Sequence, residues 1–368
     1  MFSVFVFLFH SERAVYESKA LRVDAYLRKE ESCRKGGTMK LLKVDTLAQA
    51  RERLIKAAKE CLPETEQVAL ADASDRILAE DIVSGEMIPA FRRSSVDGYA
   101  VCSKDTAGAT ESIPVFLKVL EEVEIGHPAV SKIEPGTCAY VPTGGMVPEG
   151  ADAMVMVEYS ERFGTDEVAL YENVPYGKCI VLPGEDVKTG DIVLKAGTRI
   201  GPAQAGTLAA LGVVQVPVFK PWKVAVLSTG DELVRIDQVP GPGQVRDINT
   251  WALSCYVKKT GLELVSAEAV RDEEVLLEEK IREAVKACDL ILISGGSSQG
   301  KKDMTMEILN RISKEGVFTH GLALKPGKPT ILGYDKEKNT LLGGLPGHPA
   351  AALAVFHLLF VWLWKQVT

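Results

Sequence analysis

Four glycine-rich loops in this chain carry carboxylates or hydroxyls, and a fifth segment carries two lysines. The first two loops are Ser94-Ser95-Val96-Asp97-Gly98-Tyr99-Ala100 and Gly184-Glu185-Asp186. An Asp-Gly pair serves a tight turn as readily as a ligand, so both readings stand there. The third, Ser228-Thr229-Gly230-Asp231-Glu232, directly follows the apolar run Val224 to Leu227. The fourth, Gly295-Gly296-Ser297-Ser298-Gln299-Gly300-Lys301-Lys302-Asp303, follows Leu290 to Ser294. Its glycines either close a simple turn or let successive N–H groups face an anion, with the next helix adding its positive end. The spacing is not that of a P-loop.

Lys325-Pro326-Gly327-Lys328-Pro329 places two ammonium groups on a stiffened segment, and Gly343-Gly344-Leu345-Pro346-Gly347-His348-Pro349 opens the last helix. Between Gly295 and Gly333 six basic residues outnumber three acidic ones, a local +3 in a chain of formal net charge -7. Solvated turns are the bland reading of the lysines alone. Beside an anion-binding loop they favour a phosphorylated or oxyanionic substrate. None of the five histidines sits near a recognisable nucleophile elbow. Catalysis is therefore expected from carboxylates, lysines and a hard cation such as Mg²⁺, which prefers oxygen ligands and phosphates.

The seven cysteines, Cys33, Cys61, Cys102, Cys138, Cys179, Cys255 and Cys288, show neither paired C-x-x-C spacing nor histidine partners. Disulfide scaffolds and zinc sites are thereby disfavoured, and reduced, mostly buried thiols in the cytoplasm are expected. The acidic net charge argues against nucleic acid or anionic membrane as partner. With 368 residues, 46% hydrophobic and 25% charged, the chain has room for two to three domains.

Those loops need elements to hold them. Thr46 and Gln49 read as a capping box for a helix over 46–61, with Leu47, Ala50, Leu54, Ala58 and Cys61 on one face. Short apolar runs at 115–120, 138–141 and 154–157, broken by Gly and Pro, read as a mostly β module. A short helix is expected from Pro202 to Leu211, stopped by Gly212. After Pro221 strands at 224–227, 262–270 and 290–294 alternate with helices capped near Asn249, Asp272 and Asp303. That alternation predicts a parallel sheet covered on both faces, with ligands beyond the carboxyl ends of its strands. The fold class expected is thus α/β plus β-rich. A closing apolar helix over 350–364 would reach about 22 Å, short of a bilayer, and is expected to be a buried domain helix.

Domain boundaries are expected as follows: 1–38 a non-native or disordered extension, 39–62 with 190–221 a discontinuous linker or dimerisation domain, 63–189 the β-rich domain, and 222–368 the α/β domain. Codons for Lys35 to Gly37 can spell a ribosome-binding site, which makes Met39 the expected start. The apolar stretch Met1 to Phe9 is too short for a membrane span.

In order, Ser95-Val96-Asp97-Gly98-Tyr99-Ala100, Pro142-Thr143-Gly144-Gly145, Gly184-Glu185-Asp186, Ser228-Thr229-Gly230-Asp231-Glu232, Gly295-Gly296, Lys325-Pro326-Gly327-Lys328-Pro329 and Gly344-Leu345-Pro346-Gly347 resemble the motifs of MoeA-type molybdopterin molybdenumtransferases, relatives of the gephyrin E domain. The match runs from about Met39 to the end.

The resemblance implies molybdenum cofactor biosynthesis: adenylylated molybdopterin and molybdate react with Mg²⁺ to give the cofactor and AMP. It assigns catalytic roles to Asp97, Thr143, Asp186, Glu232 and Asp303, with Asp186, Glu232 and Asp303 as metal ligands. Substrate binding falls to Thr229, Gly230, Asp247, Asn249, Gly295, Gly296, Ser297, Ser298, Gly300, Lys325, Lys328, Pro346 and Pro349. Asp97 and Thr143 would form the opposite wall of the cleft, supplied by the β-rich domain of a homodimer. A molybdopterin adenylyltransferase or a separately encoded C-terminal domain are further partners. Molybdopterin adenylyl transfer and a non-catalytic scaffold are the alternative readings. The sequence departs from the family at His348, usually Asn, at the 295–300 loop, and in ending at Thr368 without the usual C-terminal β domain.

Overall fold

The computed structural model describes residues 44–295, 302–313 and 316–368. The expectations for residues 1–38, for the start at Met39 and for Gly296, Ser297, Ser298 and Gly300 lie outside the described residues.

The first helix, Leu47–Ala58, begins where its caps dictate. The Thr46 hydroxyl accepts from the Gln49 N–H at 3.3 Å, and Gln49 Oε1 accepts from the Thr46 N–H at 2.9 Å. Two donors that no helical carbonyl can reach are satisfied reciprocally. Ala50, Leu54 and Ala58 form its buried face, and the helix stops short of the expected Cys61, which is nonetheless buried.

The chain divides into two units, one of residues 81–194 and one joining 44–80 to 195–368. In the first, a six-stranded sheet runs Ala153–Met156, Gly98–Val101, Thr137–Val141, Val115–Glu122, Glu167–Leu170, Ser160–Phe163. Every pairing is antiparallel except that of Val115–Glu122 with Thr137–Val141. Alternate residues feed two cores: Tyr99, Val101, Cys138 and Val155 on one face, Ala100, Ala139, Val141 and Met154 on the other. Period-two burial on both faces is what an all-apolar strand in a covered sheet requires. Strands approach so closely at Gly98 that a Cβ there would lie 2.0 Å from the Val155 carbonyl oxygen.

The second unit holds a six-stranded sheet ordered Glu263–Val270, Lys223–Thr229, Leu290–Gly295, Thr340–Leu345, Ile331–Asp335, Val317–His320. The first four strands are parallel, as expected. The last two correct that expectation: both pairings of Ile331–Asp335 are antiparallel. Only residues 336–339 separate Asp335 from its partner Thr340, enough for a hairpin and far too few for a parallel crossover. Helices Glu274–Val285 and Lys302–Ile312 cover one face through Leu277, Ile281, Ile308 and Leu309. The first helix, Asn249–Lys259 and the last helix cover the other through Leu54, Leu253, Phe356 and Phe360.

That last helix runs from Pro349 to Val367, 19 residues, so it rises about 28 Å, and length alone does not separate it from a membrane span. Packing does: Ala352, Val355, Phe356, Leu359, Phe360, Leu363 and Trp364 lie in the core cluster. Gly343 makes the room, since a Cβ there would lie 2.5 Å from Phe360 Cζ. A π turn at His357–Val361 widens the helix, and Arg51 from the first helix donates to the Leu358 carbonyl through Nε at 3.0 Å and Nη2 at 2.9 Å. Its guanidinium also lies 4.5 Å from the centroid of the Trp362 ring, a cation–π contact.

Each unit closes its own side of the junction with paired chain. In the larger unit Ile77 bridges Arg199, and Leu78 N–H donates to Thr198 at 3.0 Å. In the β-rich unit Ile82–Val83 pairs antiparallel with Ile192–Leu194.

Candidate functional site

Parallel strands Lys223–Thr229 and Leu290–Gly295 deliver Ser228, Thr229 and Ser294, all buried, to the carboxyl edge of the sheet. Buried hydroxyls must find partners, and these do. Thr250 Oγ1 donates to Ser228 Oγ at 2.8 Å, and Thr229 Oγ1 donates to Asp272 Oδ1. Asn249 Nδ2 donates to Ser294 Oγ at 2.5 Å and to the Gly347 carbonyl at 2.8 Å, linking helix 249–259, the end of strand 290–295 and the loop before the last helix. Asn249 Oδ1 is buried with no hydrogen-bond partner.

The expected cap is corrected here. Asn249 is the first helical residue rather than the cap, and the Asp247 carboxylate accepts from Thr250 N–H at 3.2 Å. Asn249 is thereby free to reach across the strand ends.

Gly295 has φ +116°, and a Cβ on it would lie 2.0 Å from the Thr229 carbonyl oxygen, so only glycine fits between these strand ends. At Gly230 the neighbour is the Glu232 carboxylate, whose Oε2 would lie 2.8 Å from an added Cβ. Beside it opens a hollow of about 440 Å³ whose lining includes Gly230, Asp231, Gln238, Gln244, Arg271 and Glu273. Asp231 Oδ1 accepts from the Asp272 N–H at 3.2 Å.

Lys325 and Lys328 are exposed, and neither has an ion-pair partner among the described residues. Strand register puts them at this same edge, because Ile331, just beyond their turn, pairs with Gly344, next to Leu345 and Pro346. Backbone bonds set the turn: the Lys328 carbonyl accepts from Leu322 and Thr330, and Thr330 Oγ1 donates to the Gly327 carbonyl at 2.7 Å. Pro346 is buried and Pro349 starts the last helix.

In the β-rich unit Asp97 and Thr143 meet directly, with Asp97 Oδ1 accepting from both the N–H and the hydroxyl of Thr143. Ser94 fastens the same corner, donating through its N–H to the Gly145 carbonyl and accepting through its own carbonyl from Gly144. Asp186 lies instead with Arg93, at 3.3 Å.

Thr229, Gly230, Asp247, Asn249, Gly295 and Pro346 thus gather at one sheet edge, and Asp97 joins Thr143. The side chain of Asp303 lies outside the described residues, its backbone being part of helix Lys302–Ile312. Among the described residues no three His, Cys, Asp or Glu side chains converge to hold a metal ion. Sequence reasoning placed Ser228 in a loop and Asp272 near a cap without giving either a site role, and missed Thr250, Ser294 and Arg271; a polar residue ending a buried apolar run was the available signal for Ser294.

Residues 45–212 match the family model of the MoeA N-terminal region (domain I and II), and residues 225–365 match that of a probable molybdopterin binding domain. The molybdopterin molybdenumtransferase of Haemophilus influenzae is 35% identical over 318 residues, 85% of this chain and 75% of that protein. That of Bacillus subtilis is 33% identical over 298 residues, 80% and 69% of the two chains. A crystal structure of the molybdopterin biosynthesis MoeA protein from Pyrococcus horikosii superposes with a TM-score of 0.73 at 37% identity, covering 88% of this chain and 80% of that one. Matches to both halves of the chain, at these identities and coverages, establish that it belongs to the MoeA family of molybdopterin molybdenumtransferases.

Proposed function

We propose that this protein inserts molybdenum from molybdate into adenylylated molybdopterin and releases AMP. The observation that carries the reading is the sheet edge where the strand ends tied by Asn249 lie together with the exposed Lys325 and Lys328, which have no ion-pair partner among the described residues. Two anionic reactants repel each other, and cations held at a water-accessible edge offset that repulsion. The substrate's own dithiolene sulfurs take the metal, so the protein needs no thiolate cluster.

Thr229, Gly230, Asp247, Gly295 and Pro346 shape the edge against which the substrate rests, and the 296–300 loop with Lys325 and Lys328 receives phosphate and molybdate oxygens. Water attacks at phosphorus as the bond to the leaving phosphate breaks, giving AMP. Mg²⁺ would enter on the phosphoanhydride oxygens, with Asp186, Glu232 and Asp303 as its candidate carboxylates; the described residues form no cage that would hold it beforehand. Asp97 and Thr143 serve the same reaction. The working form is a cytoplasmic homodimer.

The test is AMP release from adenylylated molybdopterin in the presence and absence of molybdate. Release that depends on molybdate, with the half-saturating molybdate concentration raised about tenfold in Lys325→Ala or Lys328→Ala, supports the reading. Equal release without molybdate overturns it.

A further inference from the structure

The first turn of helix Asn249–Lys259 is fastened to the sheet edge, yet it carries one large side chain into solvent. Asn249, Thr250, Leu253 and Ser254 are buried, whereas Trp251 is 58% exposed. Of the four tryptophans it is the most exposed; Trp222 and Trp364 are each 3% exposed. Its backbone is held from the N-terminal side, because Asn249 reaches Ser294 and Gly347 while Thr250 reaches Ser228 and Asp247, and Leu253 and Ser254 just after it are buried. Strand Val245–Arg246, just before this turn, pairs with Leu233–Val234, and those two residues line the 440 Å³ hollow.

An indole is the largest apolar surface a side chain offers, and leaving it in water forgoes the gain of burial. A flat ring laid on its face recovers that gain without asking for any particular hydrogen bond, which is why aromatic platforms bind heterocycles. Trp251 therefore has two properties a platform needs, an exposed face and an anchored backbone, and the strand that leads into its helix pairs with a segment lining a hollow whose amide and charged groups, Gln238, Gln244 and Arg271, are able to meet the edge of a nitrogen-rich ring.

We infer that the Trp251 indole stacks on the flat, nitrogen-rich bicyclic ring of the bound substrate, setting its affinity and orientation. The inference rests on the proposed reaction, whose substrate carries two such rings, a pterin and an adenine. Either supplies the same chemistry.

The experiment compares wild type, Trp251→Ala and Trp251→Phe in three measurements. In molybdate-dependent AMP release, Trp251→Ala raises KM about tenfold with kcat little changed, and Trp251→Phe restores most of the affinity. Thermal melting stays the same in all three, as expected for an exposed side chain. Titration of tryptophan fluorescence with AMP and, separately, with 6-hydroxymethylpterin shows quenching in wild type that Trp251→Phe abolishes, and the probe that does so identifies the ring. An unchanged KM in Trp251→Ala, or quenching identical in wild type and Trp251→Phe for both probes, overturns the inference. So does a lowered melting temperature or altered oligomeric state with unchanged KM, which would show the indole covering protein instead. If wild type releases no AMP in response to molybdate, the proposed reaction fails, while the fluorescence titrations still decide the stacking.

Discussion

Asp97 Oδ1 accepts two hydrogen bonds from a single residue, the N–H of Thr143 at 2.7 Å and its hydroxyl at 3.0 Å. One oxygen is thereby oriented, and Oδ2 has no hydrogen-bond partner among the described residues. Asp97→Asn keeps the shape and removes the charge. It is expected to lower kcat/KM for molybdate-dependent AMP release about a hundredfold, while urea denaturation shows a loss of no more than about 1 kcal/mol. A large loss of stability with full activity would reassign Asp97 to a purely structural role.

Gly295 and Gly206 make opposite predictions for the same substitution. At Gly295 an added methyl meets the Thr229 carbonyl at 2.0 Å with φ at +116°, so Gly295→Ala is expected to cost about 1–3 kcal/mol or more. Gly206 lies inside helix Pro202–Ala210 with nothing within 4 Å of its Cβ position, and Gly206→Ala is expected to stabilise by up to about 1 kcal/mol. Chemical denaturation of the two variants side by side checks both signs.

His357 sits in the π turn of the last helix, hydrogen-bonded to the Tyr256 hydroxyl. Burial, with Lys365 and Arg51 nearby, holds its imidazole below the ordinary histidine value of 6.5. The folded state therefore favours neutral imidazole, and the unfolded chain takes up the proton more readily. Its contribution to stability is complete above about pH 6.5 and is lost as pH falls through the lower folded value. Melting temperature followed from pH 7.5 to 5 should fall less steeply in His357→Gln than in wild type.

Three thiols should be silent in the native protein. Burial pushes Cys61 and Cys288 up to about 11 and Cys138 up to about 12. Cys255 is exposed on helix Asn249–Lys259. With a disulfide reagent at pH 8, peptide mapping is expected to find Cys255 modified early, and Cys61, Cys138 and Cys288 only after denaturant is added.

Local signals were readable where one residue type does one job. Thr46 and Gln49 cap as their spacing predicts, the apolar runs at 224–227 and 290–294 are central strands, and Gly212, with φ +67°, follows its helix as a stop. What depended on topology was not readable. Nothing near Asn249 in sequence announces that Ser294 and Gly347 are its partners, since strand order brings them together. The antiparallel edge of the larger sheet was hidden for a related reason: Ile331–Asp335 and Thr340–Leu345 are as continuously apolar as parallel strands, because helices cover both faces. Nor does the apolar character of Trp251 announce that its helix turns it to solvent. Of the site, the motif glycines and the Asp97 and Thr143 pair were legible as types, whereas the hydroxyl seam of Ser228, Thr250 and Ser294 emerged only from folded contacts.

The pairing of Leu78 with Thr198 inside one unit, and of Ile82 with Leu194 inside the other, has a consequence for how the polypeptide is assembled. Outgoing and returning chain are neighbours where they cross the boundary, at Leu78 with Thr198 on one side and at Ile82 with Leu194 on the other. The β-rich unit is thus a guest spliced into a host at a single doorway. Excising it and joining the two ends by a short turn would leave the host every helix and strand of its own sheet in one continuous chain.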